Sequence, residues 1–318
     1  MARRKDPVDH RLLYKVSVLY YLQHHTQQEV AERLHLSRPK VSRLLQQARQ
    51  RGIVQIHVVP SGAFLELETE LEQRYGLEEV LVVETDPAAE GRVLEQQLGG
   101  AAADYLQRSV ADGDVLGVTW GRTLRAMVGA LRPRAAHAVR VVQTMGGLGP
   151  PEAEVHAANL SRRLAQLLGG STILLPAPGI VDRAESSTIL RADRYVREAM
   201  GWFPRLTMAF AGIGALSTNP VFERRGGFLS DEVYEALAAA GVVGDIAMRF
   251  FDADGKPVKT ELDERTIGIT LEELKAVPRV VGVAGGAEKV EAIRGALRGR
   301  LINVLITDYD TAVRLQAA

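Results

Sequence analysis

The sequence contains no cysteine, which excludes a disulfide framework, a zinc site with thiolate ligands and a cysteine nucleophile. It also lacks any apolar run near the ~18 residues that a membrane-spanning helix needs. The first seven residues lead into polar sequence rather than into the apolar core of a signal peptide. We therefore expect a cytoplasmic protein that has no membrane partner.

The overall composition is that of a globular protein, but its charge is unevenly distributed. Hydrophobic residues make up 46% of the 318 residues and charged residues 25%, and the length suggests two domains. The 39 basic and 39 acidic residues cancel, yet residues 1–57 hold eleven Lys and Arg against four acidic residues. This segment therefore carries +7 and the remainder −7. A basic block on a larger acidic body indicates contact with a polyanion, which an evenly solvated surface would not.

Residues 1–60 have the element order of a winged helix-turn-helix domain. Apolar spacing predicts a first helix over 8–22 and a second over 27–34, with Thr26 as the N-cap of the second. Ser37 is predicted to cap a third helix that Gly52 ends, and residues 53–58 are predicted as a strand. Residues 61–76 follow as a linker helix whose apolar stripe could pack against the body or against a second chain.

Residues 77–318 alternate between apolar strands and helices, which predicts an α/β domain with a mostly parallel sheet covered on both faces. The predicted strands are 80–83, 115–118, 139–142, 172–175, 207–210, 246–250, 280–283 and 302–306. The predicted helices are 92–109, 122–132, 152–168, 187–200, 230–240 and 287–298.

The third helix begins with a basic segment suited to DNA. The first turns of a helix in the major groove meet base edges, where Arg and Lys match the acceptors of guanine, while Ser binds phosphate oxygens. A cation at Lys40 opposes the helix dipole at a cost of about 0.3–1 kcal/mol, which a DNA phosphate would offset. The alternative is a docking hairpin with solvated charges. The predicted DNA contacts are Ser37, Arg38, Lys40, Ser42 and Arg43, with Gln27 either a backbone contact or simply exposed.

Motifs along nearly the whole chain match one known family. They are YKVSVLYY at 14–21, TQQEVA at 26–31, LSRPKVSRLL at 36–45, GVTWGRTL at 117–124, QTMGGLG at 143–149, LPAP at 175–178, GIG at 212–214, GVVGDI at 241–246, FFD at 250–252, GVAGG at 282–286 before Lys289, and LINVLITD at 301–308. In this order they resemble the SorC-type bacterial transcriptional regulators, also called the SorC/DeoR family of sugar-binding regulators. The resemblance implies a dimer or tetramer with a Rossmann-like C-terminal domain, similar to sugar-phosphate isomerases and aminosugar-phosphate deaminases. The resemblance also implies that this domain binds a phosphorylated sugar and so alters operator binding.

The predicted effector site begins at Trp120, Gly121, Arg122 and Thr123, which follow a strand and open a helix. Backbone N–H groups, a hydroxyl and an arginine at a helix N-terminus can hold a phosphate. A plain tight turn is the alternative, and the resemblance favours phosphate.

Four further residues complete the predicted effector site. At the end of the next strand, Gly146 and Gly147 could let backbone approach a ligand. Some family members carry Arg before this glycine pair, so Met145 favours a monophosphate over a bisphosphate. Asp245 could accept hydrogen bonds from sugar hydroxyls or cap secondary structure. For Lys289, the resemblance implies contact with the ligand phosphate, and a solvated surface lysine is the alternative.

Catalysis, metals and cofactors find little support in the sequence. Asp245 and Lys289 could mimic an acid–base pair, but they do not by themselves make an isomerase site. The seven histidines lack metal-ligand spacing, residues 252–255 lack the Glu of a calcium loop, and residues 212–217 lack the third glycine of a dinucleotide fingerprint. We predict a regulator that binds operator double-stranded DNA and a sugar phosphate. Two alternatives remain: a sugar-phosphate isomerase or deaminase with a DNA-binding appendage, and a constitutive DNA-binding scaffold with a vestigial pocket.

Overall fold

The computed structural model describes residues 10–54, 64–85, 91–133, 138–148, 151–216 and 230–317. The chain divides into two compact units, Met1–Ser61 and Gly62–Ala318. No helix among the described residues has the length and apolarity that a membrane span requires.

The first unit contains the predicted helix-turn-helix. Its elements are α1 (His10–Ser17), a π-helical turn (Val18–Leu22), α2 (Gln27–Arg33) and α3 (Arg38–Gln50). The helices enclose a small core that includes Leu13, Val16, Val30, Val41 and Leu45. The predicted first helix thus ends in a wider π turn. The predicted strand over 53–58 is not seen at Ile53 and Val54, which form a bend packed on this core, and residues 55–58 lie outside the described residues.

The turn between α2 and α3 is set by a left-handed residue after α2. His35 has φ +53°, and the amide of Leu36 donates to the carbonyl of Ala31 at 2.8 Å. The amide of His35 donates to the carbonyl of Glu32 at 3.3 Å. This pair of bonds is a Schellman motif, which satisfies carbonyls that the helix end would leave unpaired. The motif ends α2 sharply and so allows α3 to start only a few residues later.

The cap of α2 gives a testable contrast with the cap of α3. The Thr26 hydroxyl accepts from the Glu29 amide at 3.3 Å, whereas Ser37 makes no capping hydrogen bond. We expect Thr26→Ala to lower the stability of this unit by about 1 kcal/mol, because an N-terminal amide of α2 loses its acceptor. Ser37→Ala should change stability much less. Amide hydrogen exchange in α2 and α3 measures both, and equal losses would contradict the contrast.

The second unit is built on a parallel sheet. Its strands are β1 (Glu79–Val83), β2 (Val115–Val118), β3 (Arg140–Gln143), β4 (Ser171–Ile173), β5 (Met208–Gly212), β6 (Gly214–Ala215), β7 (Gly244–Ile246), β8 (Arg249–Phe251), β9 (Arg279–Val283) and β10 (Val304–Asp308). Seven of them form one sheet in the order β1-β10-β9-β5-β2-β3-β4, and every pairing in it is parallel. The short strands β6, β7 and β8 form a separate antiparallel sheet.

Helices surround the sheet. They are α4 (Leu65–Tyr75), α5 (Arg92–Ser109), α6 (Arg122–Ala130), α7 (Pro151–Leu168), α8 (Ala184–Ala192), α9 (Arg194–Met200), α10 (Asp231–Ala239), α11 (Glu261–Arg265), α12 (Leu271–Lys275), α13 (Val290–Arg298) and α14 (Tyr309–Gln316). Along β5, Met208 and Phe210 join one apolar cluster while Ala209 and Ala211 join another. Because successive side chains of a strand point to opposite faces, the sheet has a core on each face. The predicted α/β architecture is confirmed.

Helix α4, the predicted linker helix, packs against the body of its own unit. The carboxylate of Glu72 accepts from the Val80 amide at 2.9 Å, and that of Glu68 accepts from the Val82 amide at 2.8 Å. Strand β1 is an edge strand, so these two glutamates satisfy amides that would otherwise face solvent or another chain. Burial raises the pKa of the Glu68 carboxyl.

Two predicted elements are wrong in detail. The single strand predicted over 246–250 is a hairpin, in which β7 and β8 are joined through Ala247 and Met248. The single helix predicted over 187–200 is broken at Asp193, whose carboxylate accepts from the Tyr195 amide at 2.8 Å and caps α9. At the hairpin the apolar pattern runs on through the break, because residues 246–250 are all buried, whereas residues 192–195 around the break at Asp193 are exposed.

Candidate effector cavity and nucleic-acid interface

A cavity lies where three neighbouring strands, β9, β5 and β2, reach their carboxyl ends. In open α/β sheets, ligands bind at this edge because the loops that leave adjacent strands there diverge. The cavity is lined by Glu95, the segment Thr119–Leu124, the segment Gly212–Gly214, Asp245, Ala247, Met248, Val283 and Lys289. Of the eight predicted effector residues, the fold brings Trp120, Gly121, Arg122, Thr123, Asp245 and Lys289 together.

The segment after β2 presents a helix N-terminus to this cavity. Gly121 is the N-cap of α6 with φ +150°, a backbone conformation that favours glycine. The first helical hydrogen bond runs from the Arg125 amide to the Gly121 carbonyl at 2.9 Å. The amides of Arg122, Thr123 and Leu124 therefore have no acceptor within the helix and carry the positive end of its dipole. This arrangement suits an anion.

Two cations flank the helix N-terminus. The Nε of Arg122 lies 2.7 Å from Oε1 of Glu95, and Lys289 is half-buried. Burial lowers the pKa of the Lys289 ammonium, and the charge of Arg122 lowers it further, while Glu288, Glu95 and Asp245 raise it. An anion at this point would restore the stability of the charged lysine.

The loop that carries Lys289 is held by a buried carboxylate that the sequence reasoning did not single out. Asp308 accepts from the Gly286 amide at 2.9 Å, from the Thr311 amide at 2.9 Å and from the Thr311 hydroxyl at 2.7 Å. A Cβ on Gly285 would lie 2.1 Å from Oδ2 of Asp308, so glycine is required there. The available signal was an Asp at the end of an apolar strand with Thr three residues later, a helix-capping pattern.

Asp245 lines the cavity and also caps the β7–β8 hairpin. Its side chain is buried, and Oδ2 accepts from the Met248 amide at 3.1 Å. Ala247 and Met248 have φ of +53° and +59°, and both line the cavity. Such turns normally use Asn or Gly. Because neither residue stands at position 247 or 248, the sequence did not indicate the hairpin. Left-handed alanine and methionine store backbone strain beside the candidate site.

The glycine pair after β3 does not reach this cavity, which corrects the expectation for Gly146 and Gly147. The Gly146 amide donates to the Ile267 carbonyl at 3.0 Å, and the Gly147 amide donates to the Ala177 carbonyl at 3.0 Å. A Cβ on Gly146 would lie 2.5 Å from the Ala177 carbonyl oxygen. The need for glycine at position 146 is thus explained by the close packing of its backbone against a neighbouring segment. Met145, on which the expectation of a monophosphate rested, is buried and does not line the cavity.

The predicted DNA contacts lie together on the helix-turn-helix unit. Ser37, Arg38, Lys40, Ser42 and Arg43 are all exposed in the first two turns of α3, opposite its buried side. Arg43 folds back, since its Nε donates to the Pro39 carbonyl at 3.3 Å. Gln27 is half-buried and lines an open groove together with Arg38. Tyr20, Tyr21 and His24, which the sequence reasoning did not select, line the same groove.

Comparisons with known proteins match both units. Residues 59–316 match the family described as "Putative sugar-binding domain", and residues 15–51 match "Sigma-70, region 4". The chain is 35% identical to a deoxyribonucleoside regulator of Bacillus subtilis (strain 168), over 96% of this chain and 97% of that protein. It is 33% identical to a sorbitol operon regulator of Klebsiella pneumoniae, again over 96% and 97%. The solved full-length sorbitol operon regulator SorC from K. pneumoniae superposes with a TM-score of 0.73 at 31% identity, covering 98% of this chain and 100% of that one.

Proposed function

Since the chain belongs to the SorC/DeoR family of sugar-binding transcriptional regulators, we propose that its effector is a phosphorylated sugar, bound in the cavity at the carboxyl edge of the sheet. Two of the matched relatives are named as a deoxyribonucleoside regulator and a sorbitol operon regulator rather than as enzymes. The protein is accordingly a DNA-binding regulator with a sugar-binding domain. If the effector is a sugar phosphate, the cavity must contain groups that can bind the phosphate.

One observation carries the proposed phosphate position. The amides that open α6, the guanidinium of Arg122 and the ammonium of Lys289 line the same cavity. Backbone N–H groups at a helix N-terminus bind phosphate oxygens, and Arg adds charge-assisted hydrogen bonds. Within the part of the chain that the structure describes, no carboxylate lies within salt-bridge distance of the Lys289 ammonium, although the charges of Glu288, Glu95 and Asp245 act on it. A phosphate would give it a partner.

The sugar would extend from the phosphate toward the β7–β8 hairpin. Asp245 is the carboxylate on that side, and carboxylate oxygens accept hydrogen bonds from sugar hydroxyls. Because the described lining also carries Glu95, a ligand with one phosphate fits the local charge better than one with two. We therefore propose a sugar monophosphate as the effector. The basis for this proposal is the charge of the cavity lining and not the identity of Met145.

We further propose that α3 reads the operator, with Arg38, Lys40, Ser42 and Arg43 nearest the bases and Ser37 and Gln27 nearest the backbone. The Ser37 hydroxyl, which makes no capping bond, remains available for a phosphate oxygen. Two DNA-binding units, which we call heads, would read the two half-sites of the operator, so the protein would be a homo-oligomer, either a tetramer or a dimer. It would act on DNA in the cytoplasm. The effector would shift the population between assemblies with different spacing of the heads.

The test is fluorescence anisotropy on DNA from upstream of the protein's own gene, at two salt concentrations and with a panel of sugar monophosphates. We expect salt-sensitive binding that one sugar phosphate changes about tenfold, which is roughly 1.4 kcal/mol of coupling. DNA binding that no sugar phosphate alters would contradict the proposed effector and favour a constitutive scaffold.

Arg122→Ala is expected to weaken binding of that sugar phosphate by about 10- to 100-fold, because the variant cannot form the charge-assisted pair with the phosphate. Arg125→Ala is the matched control, since Arg125 lies exposed on the same helix outside the cavity lining. Isothermal titration calorimetry measures both variants. Equal affinities for wild type and Arg122→Ala would place the phosphate elsewhere.

A further inference from the structure

The Arg122 guanidinium already has an anionic partner inside the protein. Glu95 lies on α5, and its Oε1 is 2.7 Å from Nε of Arg122. The Glu95 side chain is 19% exposed and that of Arg122 is 53% exposed. A carboxylate at this distance takes the place that a phosphate oxygen would take beside the same N–H group.

Helix packing fixes the distance between the backbones that carry the two side chains. A Cβ on Gly99, one turn after Glu95, would lie 2.5 Å from Cβ of Ala126, one turn after Arg122. The backbones of α5 and α6 therefore approach closely at this level. Interiors packed in this way do not deform continuously, so the ion pair cannot be opened by drawing the helices apart. A ligand that binds the Nε–H group of Arg122 must instead turn one of the two side chains.

There is space beside the pair for such a turn. Glu95, Arg122, Thr123 and Lys289 line the effector cavity and also a smaller adjoining cavity, which Gly91, Leu94 and Leu98 help to enclose. The ion pair thus stands between the two spaces. A displaced Glu95 side chain could enter the adjoining cavity by rotating about its own bonds, with no movement of the α5 backbone.

We propose that Glu95 is a specificity-determining residue, the resident counter-ion with which every anionic ligand must compete for Arg122. This inference rests on the proposed function, in which Arg122 holds the effector phosphate. Displacement costs free energy that a simple anion cannot recover, whereas a sugar phosphate recovers it through contacts of its sugar elsewhere in the cavity. Glu95 thereby selects against inorganic phosphate, a case of specificity obtained by a repulsive element.

The test uses inorganic phosphate as the probe, titrated against the full-length protein and followed by tryptophan fluorescence, to which Trp120 in the cavity lining contributes. Glu95→Gln keeps the shape of the side chain and removes its charge. We expect it to bind inorganic phosphate about tenfold more tightly than wild type. The matched control is Glu235→Gln, an exposed glutamate of α10, which should bind phosphate as wild type does.

Two further variants make the result decisive. Glu95→Asp draws the carboxylate back from Arg122 and should also tighten phosphate binding, which guards against a folding defect specific to Glu95→Gln. In an Arg122→Ala background, Glu95→Gln should give no gain, because the effect must act through Arg122. Phosphate binding by Glu95→Gln that equals or falls below that of wild type overturns the proposal, as does a gain that persists without Arg122.

The same samples separate this inference from the proposed function. If a sugar monophosphate changes operator binding by the wild-type protein and Glu95→Gln does not tighten phosphate binding, only the role of Glu95 is overturned. If neither sugar phosphates nor inorganic phosphate bind any of the proteins, both proposals are overturned.

Discussion

Replacing Arg38, Lys40 and Arg43 together by alanine is expected to lower operator affinity by about 10³-fold. These three cations are exposed in the first two turns of α3, where a recognition helix meets base edges and phosphates. A good interaction with a base is worth about 1–3 kcal/mol, so about 4 kcal/mol for the three is a moderate sum. For each DNA phosphate that the variant no longer neutralises, the slope of log affinity against log salt should also fall by about 0.9.

The control for this variant removes the same charge from the same unit. Arg33, Arg49 and Arg51 are exposed but lie outside the first two turns of α3. Their replacement by alanine should cost less than about tenfold on the operator, since it removes only long-range attraction. Anisotropy on operator DNA and on a random duplex measures both variants. Equal losses of affinity for the two triple variants would mean that α3 is not the recognition helix.

Arg249→Met is expected to lower the free energy of unfolding of the second unit by about 3–5 kcal/mol. Arg249 is buried, and its guanidinium donates to the carbonyls of Ile269, Asp263, Thr266 and Gly268 and to the Asp263 carboxylate. Methionine fills a similar volume but donates to none of these acceptors; the Thr266 carbonyl keeps a bond from Arg191 at 2.7 Å. Each buried group left unpaired costs about 1–3 kcal/mol.

Arg249 begins β8 immediately after the left-handed turn of Ala247 and Met248, so its replacement should also loosen that wall of the effector cavity. Urea unfolding followed by tryptophan fluorescence measures the effect in the second unit alone, because Trp120 and Trp202 are the two tryptophans of the chain. Arg197→Met is the control, since Arg197 is exposed on α9. A stability loss below about 1 kcal/mol for Arg249→Met would show that the unpaired carbonyls find other donors.

Most of the parallel sheet could be predicted from the sequence, as could the turn and helix N-terminus that bring several residues into the cavity lining, because their signals are local. Val115–Val118 is an apolar run followed by Trp120, Gly121 and Arg122, and that order alone predicts a strand, a turn and a helix N-terminus. The same holds for Thr26 and Gly52, whose side-chain chemistry and backbone freedom mark the start of one helix and the end of another.

The sequence failed where distant segments determine what a residue does. The sequence predicts that a ligand lies close to the backbone of Gly146 and Gly147. In the structure, Ala177 and Ile267, which are distant along the chain, occupy the space next to these glycines. The β7–β8 hairpin was missed because Ala247 and Met248 carry no turn signature, and the turn is imposed by the Asp245 side chain and the buried Arg249. Neither interaction leaves a periodic mark in the sequence.

By itself the sequence determined the class of molecule: a basic helix-turn-helix segment, an acidic α/β body and the motif order of a sugar-binding regulator. Those features depend on periodicity, capping and charge, which act over a few residues. Only the tertiary structure decided which polar groups share one cavity, because the carboxyl ends of β2, β5 and β9 meet through pairings between strands that are distant along the chain. It alone placed Glu95 of α5 against Arg122 of α6, since the pair depends on how closely the two helices pack.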